Sequence, residues 1–90
     1  MKKIIVTYDI RDDRRRNKVF KEMKSWGEWV QFSVFECVLL INQIDVMLRR
    51  LNRIIDTKED SIRIYYFPME SKVTILGEGK PIEYRDNYVL

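Results

Sequence analysis

Residues 29 to 41, Trp-Val-Gln-Phe-Ser-Val-Phe-Glu-Cys-Val-Leu-Leu-Ile, form a run of 13 residues rich in β-branched, aromatic and aliphatic side chains, longer than one ordinary strand. The run therefore reads as two strands folded back on each other. No Asn-Gly or Pro-Gly pair marks the reversal, which the pattern places near Ser33 to Glu36. A helical pattern flanks this hairpin on each side, so few topologies remain open to the chain.

Upstream, residues 3–8 read as a buried strand, short, β-branched and bounded by charge. Asp12 or Asp13 then offers a carboxylate to the free amides of a helix start, and Val19, Phe20, Met23 and Trp26 recur at helical spacing. Gly27 is expected to stop that helix in a left-handed cap. Downstream, Ile44, Met47, Leu48, Leu51, Ile54 and Ile55 fall on one helical side, with Arg49, Arg50 and Arg53 on the others. A strand over 62–67 ends at Pro68, and Val73 to Leu76 is expected to form a further short strand before Gly77, Gly79 and Pro81.

The order β-α-β-β-α-β with an additional C-terminal strand is that of an α+β, ferredoxin-like fold. Two helices then cover one face of an antiparallel sheet. Residues 1–81 form the expected domain. The sheet's other face is left open, with Tyr65 and Phe67 on it, and a symmetric second copy would cover it. The tail 82–90, Ile-Glu-Tyr-Arg-Asp-Asn-Tyr-Val-Leu, follows a Gly/Pro hinge and is expected to pair with the sheet edge of the other subunit.

Several chemistries are excluded by composition. With one cysteine, Cys37, and no histidine, the chain has no intrachain disulfide, no all-cysteine zinc site and no imidazole base. Catalysis must rest on carboxylates, hydroxyls or a hard cation. No apolar stretch reaches the roughly 18 residues that span a bilayer, and Met1-Lys2-Lys3 leads straight into a strand without a signal-peptide cleavage site. The expected location is the cytoplasm, without membrane contact.

The chemistry that remains gathers at the end of the first strand. Asp9 is a candidate ligand for a hard divalent cation, and Arg14, Arg15 and Arg16 follow it as candidate phosphate contacts. The net charge of +3 is unevenly spread: residues 1–27 carry +5, residues 28–55 are neutral and residues 56–90 carry −2. The basic end is thus the end that holds Asp9. Ser33 has no histidine or obvious lysine base to activate it and reads as a turn hydroxyl. Phe35 and Tyr8 are offered both to base stacking and to the core or dimer interface.

Tyr8-Asp9-Ile10, the arginine-rich helix start ending in Arg16-Asn17-Lys18-Val19, Val30 through Cys37, and Asp60 through Tyr65 together resemble the small core protein family of CRISPR spacer acquisition. The resemblance covers nearly the whole chain. It implies a ferredoxin-like homodimer, a Mg²⁺-dependent nuclease acting on single-stranded RNA or duplex DNA, and a partnership in which the dimer bridges two dimers of the CRISPR integrase along duplex DNA. By position, Asp9 matches the family's metal-binding aspartate, Arg16 and Lys18 its following basic residues, and Ser33 and Phe35 its Ser-Val-Phe motif. Tyr8 belongs to the same motif set. Where many relatives carry a basic residue before the Val-x-Ser segment, this chain has Trp29-Val30.

Three functions are therefore distinguished: a nuclease centred on Asp9 using Mg²⁺, or Mn²⁺ through the same oxygen ligands; a non-catalytic scaffold that clamps duplex DNA and the integrase; and a toxin-like ribonuclease module.

Overall fold

The computed structural model describes residues 1–79. Six elements follow in order: β1 (Lys2–Asp9), α1 (Asp13–Met23), β2 (Glu28–Gln31), β3 (Val34–Leu39), α2 (Ile41–Ile54) and β4 (Ser61–Phe67). The strands form one antiparallel sheet in the order β2-β3-β1-β4. This is the ferredoxin-like α+β arrangement expected from the sequence.

Strand alternation decides which side chains meet the helices. Ile4, Val6 and Tyr8 of β1 and Phe35, Cys37 and Leu39 of β3 point into one core with Val19, Met23 and Trp26 from the α1 side and Ile44, Met47 and Leu51 of α2. The alternate residues Ile5, Val34, Tyr65 and Phe67 belong to the opposite, helix-free face, where Tyr65 is 44 % and Phe67 38 % exposed. In α2 the predicted apolar stripe is narrower than its spacing suggested. Leu48 is 36 % exposed at the rim of the core, and Ile55 is the extended C-cap rather than a helical residue.

Three local expectations are corrected. The hairpin turn lies at Phe32-Ser33, ahead of the expected place, and it closes without glycine because Phe32 itself takes a left-handed φ of 42°. That conformation costs a non-glycine residue about 1–2 kcal/mol, and the Trp29 indole N–H, donating to the Phe32 carbonyl at 2.8 Å, helps to hold it. Gly27 is not a left-handed cap. The helix ends at Met23, with Lys24 still right-handed, and the turn closes through Trp26 and Gly27 amides donating to the Met23 carbonyl. Glycine is needed at 27 for space instead: a Cβ there would press into the Glu36 carbonyl oxygen and lie 2.5 Å from Cys37 Sγ.

Val73 to Leu76 is not a strand. Its residues have no ladder partner among the described residues, Val73 and Leu76 are 63 % and 91 % exposed, and the preceding turn is tied down by Lys3 Nζ donating to the Ser71 carbonyl at 2.6 Å. The expected tail strand over 82–90 lies outside the described residues.

Candidate nucleic-acid interface

Asp9 is the last residue of β1, exposed, and opposite Ser61 of β4 in the ladder. The strand fixes its backbone while its carboxylate makes no ion pair among the described residues. Ile10, only 4 % exposed, plugs the core just beyond it, so the loop leaving the strand is anchored within one residue of the acid.

Asp12 then caps α1, its Oδ2 accepting from the Arg15 amide at 2.9 Å. That hydrogen bond is the main reason its carboxyl is held below the ordinary range, with the Arg15 and Arg14 charges adding to it.

The four basic residues singled out by sequence separate into two kinds. Arg15 is committed to the protein: its Nε donates to Asp60 Oδ2 at 2.8 Å, and its Nη2 reaches Asp60 Oδ1 at 3.2 Å and Glu59 at 3.0 Å. Arg16 is turned back onto the loop, where it donates to the Ile10 carbonyl at 3.0 Å and pairs with Asp13. Arg14 and Lys18 are exposed, one turn apart, and make no ion pair among the described residues. Those two have donors to offer a phosphate without first breaking a structural bond.

Tyr8, Ser33 and Phe35 are placed behind the interface rather than on it. The Phe35 ring is fully buried, 5.5 Å from Phe20 and 6.4 Å from Tyr8 between centroids, which leaves no face for a nucleobase. Burial pushes the Tyr8 phenol up, opposed by a hydrogen bond with the Ser33 side chain and by the Arg16 charge. Ser33 also accepts the Tyr8 amide on its carbonyl at 3.1 Å, so it ties the hairpin turn to the end of β1.

Two residues that matter here were passed over in the sequence. Asp60 has a fully buried side chain and accepts four hydrogen bonds, from the Arg11 amide, the Asp56 amide and twice from Arg15. The Arg15 hydrogen bond above all holds its carboxyl far below the usual carboxylate range, against the opposing effect of burial. Asp60 therefore clamps the β1–α1 loop to the loop entering β4, immediately beside the Asp9–Ser61 pair. Arg63, two residues along β4 from Ser61, is the other. It shares the open face with Asp9 at a diagonal position, typically about 7–8 Å away between Cα atoms, and its hydrogen bond with Tyr65 raises its pKa. An Asp before a strand and an Arg within one are common, so neither carried a signal without the three-dimensional pairing.

Among the described residues no three His, Cys, Asp or Glu side chains gather into a metal site. At this end of the sheet Asp9 offers one exposed carboxylate that pairs with nothing among the described residues, and a hard cation such as Mg²⁺ is commonly held by one or two carboxylates with waters and substrate phosphate completing the shell. No helix of the described residues is long and apolar enough to cross a membrane.

Comparison with known proteins places this geometry in context. The profile of the family described as CRISPR associated protein Cas2 matches residues 1–75. A CRISPR-associated endonuclease Cas2 of Thermus thermophilus is 45% identical over 85 residues, covering 94% of this chain and 92% of that protein. A CRISPR-associated endoribonuclease Cas2 of Thermodesulfovibrio yellowstonii is 38% identical over 78 residues, covering 87% of this chain and 86% of that one. Among solved structures, a hypothetical protein from Thermus thermophilus superposes with a TM-score of 0.80 at 43% identity, covering 91% of this chain and 98% of its own.

Proposed function

The chain belongs to the CRISPR-associated protein Cas2 family, and from that premise we propose that it is a metal-dependent endonuclease subunit of CRISPR spacer acquisition that works as a homodimer on single-stranded RNA or duplex DNA. The observation that carries this reading is the pairing of an exposed, unbonded carboxylate on a rigid strand end, Asp9, with the unpaired cations Arg14 and Lys18 just beyond it.

A second copy covers the open face of the sheet at Tyr65 and Phe67. In such a two-fold arrangement the Asp9 carboxylates of the two chains approach each other. Two facing carboxylates repel unless a cation or a shared proton offsets their charge, and oxygen donors without histidine favour Mg²⁺ or Mn²⁺ over softer metals. Asp9 of each chain would hold such an ion, which would supply neutralising charge and a more acidic water at the phosphodiester.

The protein's own residues do the rest. Arg14 and Lys18 hold the phosphate oxygens and stabilise charge that builds up on them. Arg15 and Asp60 keep the start of α1, which bears these cations, at a fixed place relative to Asp9. Water attacks phosphorus and gives up a proton to solvent, the phosphorus–oxygen bond to the departing strand fragment breaks, and the departing oxygen takes up a proton from solvent. Contacts to phosphate carry no base identity, so binding is largely independent of sequence. The same basic surface lets the dimer lie along duplex DNA beside the integrase.

The deciding experiment compares wild type with Asp9→Asn, at matched dimer content, on labelled single-stranded RNA and duplex DNA with Mg²⁺, Mn²⁺ or EDTA. Metal-dependent cleavage lost in the variant is the expected result. Wild-type protein that binds duplex but cleaves nothing would instead favour the scaffold reading, for which the relevant observation is that no three metal-ligating side chains gather among the described residues.

A further inference from the structure

The helical layer carries charge that the Asp9 end does not account for. Helices α1 and α2 contain eight Lys/Arg and three Asp/Glu, a net +5 in a chain whose total is +3, so the sheet and loops are net negative. Within this layer Glu22 of α1 faces a cleft of about 430 Å³ lined by Val46, Arg49, Arg50, Arg53 and Ile54 of α2.

The Glu22 side chain is 12 % exposed and doubly engaged, accepting a hydrogen bond from the buried Trp26 indole at 2.7 Å and forming an ion pair with Arg50, whose Nε lies 2.9 Å away. A carboxylate anchored in this way orients the Arg50 guanidinium through one edge and leaves its Nη donors without a partner among the described residues. Arg49 and Arg53 flank it, exposed and likewise without an ion pair there. Asp45, one turn before Arg49, does not pair with it. An ordinary solvated helix face interleaves both signs and pairs them at this spacing. This one gathers three forked cations around a single acid that is already spent.

We propose that this cleft is a second contact site for the phosphate backbone of nucleic acid, reached from the Asp9 end by way of the exposed cations Arg14 and Lys18 of α1. These lie two turns and one turn before Glu22 on the same side of that helix, so Arg14 stands about 12 Å along the axis from the acid that Arg50 pairs with. Guanidinium forks suit phosphate oxygens better than ammonium groups do, and cations repeated along a row suit a polymer of phosphates rather than one free anion. The site deepens the nucleic-acid reading given above and rests on it, but needs no cleavage to operate.

The test is fluorescence anisotropy with a labelled 30-bp duplex of random sequence in EDTA, repeated across a salt series. It compares wild type, the double variant Arg49→Ala/Arg53→Ala, its charge-keeping counterpart Arg49→Lys/Arg53→Lys, and Arg14→Ala/Lys18→Ala. The expected result is a loss of about tenfold in affinity for the first double variant, with the log–log salt slope smaller by about two, and most of both restored by the lysine pair. Unchanged affinity and slope in the Arg49/Arg53 double alanine variant, with binding lost in the Arg14/Lys18 variant, would overturn the second site while leaving the proposed function intact; an acidic protein surface would then be the partner for this cleft. Wild-type protein that binds no duplex would overturn the second site together with the duplex-DNA arm of the proposed function, leaving its single-stranded RNA arm to the cleavage assay. Circular dichroism on each variant keeps a loss of helix from being read as a loss of contact.

Discussion

Arg15 and Asp60, 45 residues apart, meet through two hydrogen bonds at 2.8 and 3.2 Å, and their pairing joins the start of α1 to the loop that enters β4. The Asp60 side chain is fully buried and also accepts the Arg11 and Asp56 amides. Removing either member leaves the other desolvated without its partner, which is far costlier than never having had the pair. Asp60→Asn is expected to lower the thermal midpoint by about 10 °C. Arg15→Ala should do similar damage, and the double variant should be less destabilised than the sum of the two, as shown by a double-mutant cycle in urea.

The same pair gives stability a pH dependence of known sign. Arg15 depresses the folded-state pKa of Asp60 well below its unfolded value. The contribution is therefore complete above the unfolded aspartate value of about 3.9 and is lost as pH falls through the lower folded value. Between pH 5 and pH 2 wild-type protein should lose stability faster than Asp60→Asn, so that the two urea midpoints converge with acidification. Parallel curves would mean that Asp60 is not the group being titrated.

Gly27→Ala should destabilise although its backbone is not left-handed. The added methyl collides with the Glu36 carbonyl and Cys37 Sγ, atoms of β3 that cannot move without disturbing the middle of the sheet. Overpacking of this kind costs about 1–3 kcal/mol. A lower urea midpoint with an unchanged m-value is the expected signature, and a midpoint equal to wild type would show that β3 yields more easily than its ladder implies.

How far the sequence discloses this fold depends on how local each cause is. The 29–41 run had to bend, and the two apolar stripes had to be helices, because periodicity is local. The place of the bend was not legible, since Phe32 takes a left-handed conformation with help from the Trp29 indole rather than from a glycine. Gly27 looked like a cap because sequence shows its freedom of φ and hides the approach of β3. At the interface, Asp9, Arg14 and Lys18 were visible as residue types and are exposed as expected. The split between exposed Arg14 and engaged Arg15 was not visible, because it depends on Asp60, remote in sequence. Residues 73–76 had the composition of a strand but no edge to pair with among the described residues.

Cys37 should be inert in the native state. It lies on the core face of β3, fully buried, and burial pushes its thiol up to about 12, with the Glu36 charge adding to the rise. Thiolate is the reactive form, so labelling by a disulfide reagent at pH 8 requires the sheet to open. The labelling rate should follow urea concentration in step with global unfolding and slow in any variant that stabilises the fold. Rapid labelling without denaturant would show that β2 and β3 separate locally.

The open sheet face makes the final prediction. Tyr65 and Phe67 project from β4 beside Ile5 of β1, and at 44 % and 38 % exposure they present ring surface that a lone chain leaves in water. If a second copy covers this face, Tyr65→Asp places a charge in the apolar contact and should weaken the dimer at least tenfold, about 1.4 kcal/mol, by sedimentation. The variant should remain folded, with unchanged far-UV circular dichroism, so that the loss is one of association alone. A dimer constant insensitive to Tyr65→Asp would leave the face at Tyr65 and Phe67 for another partner.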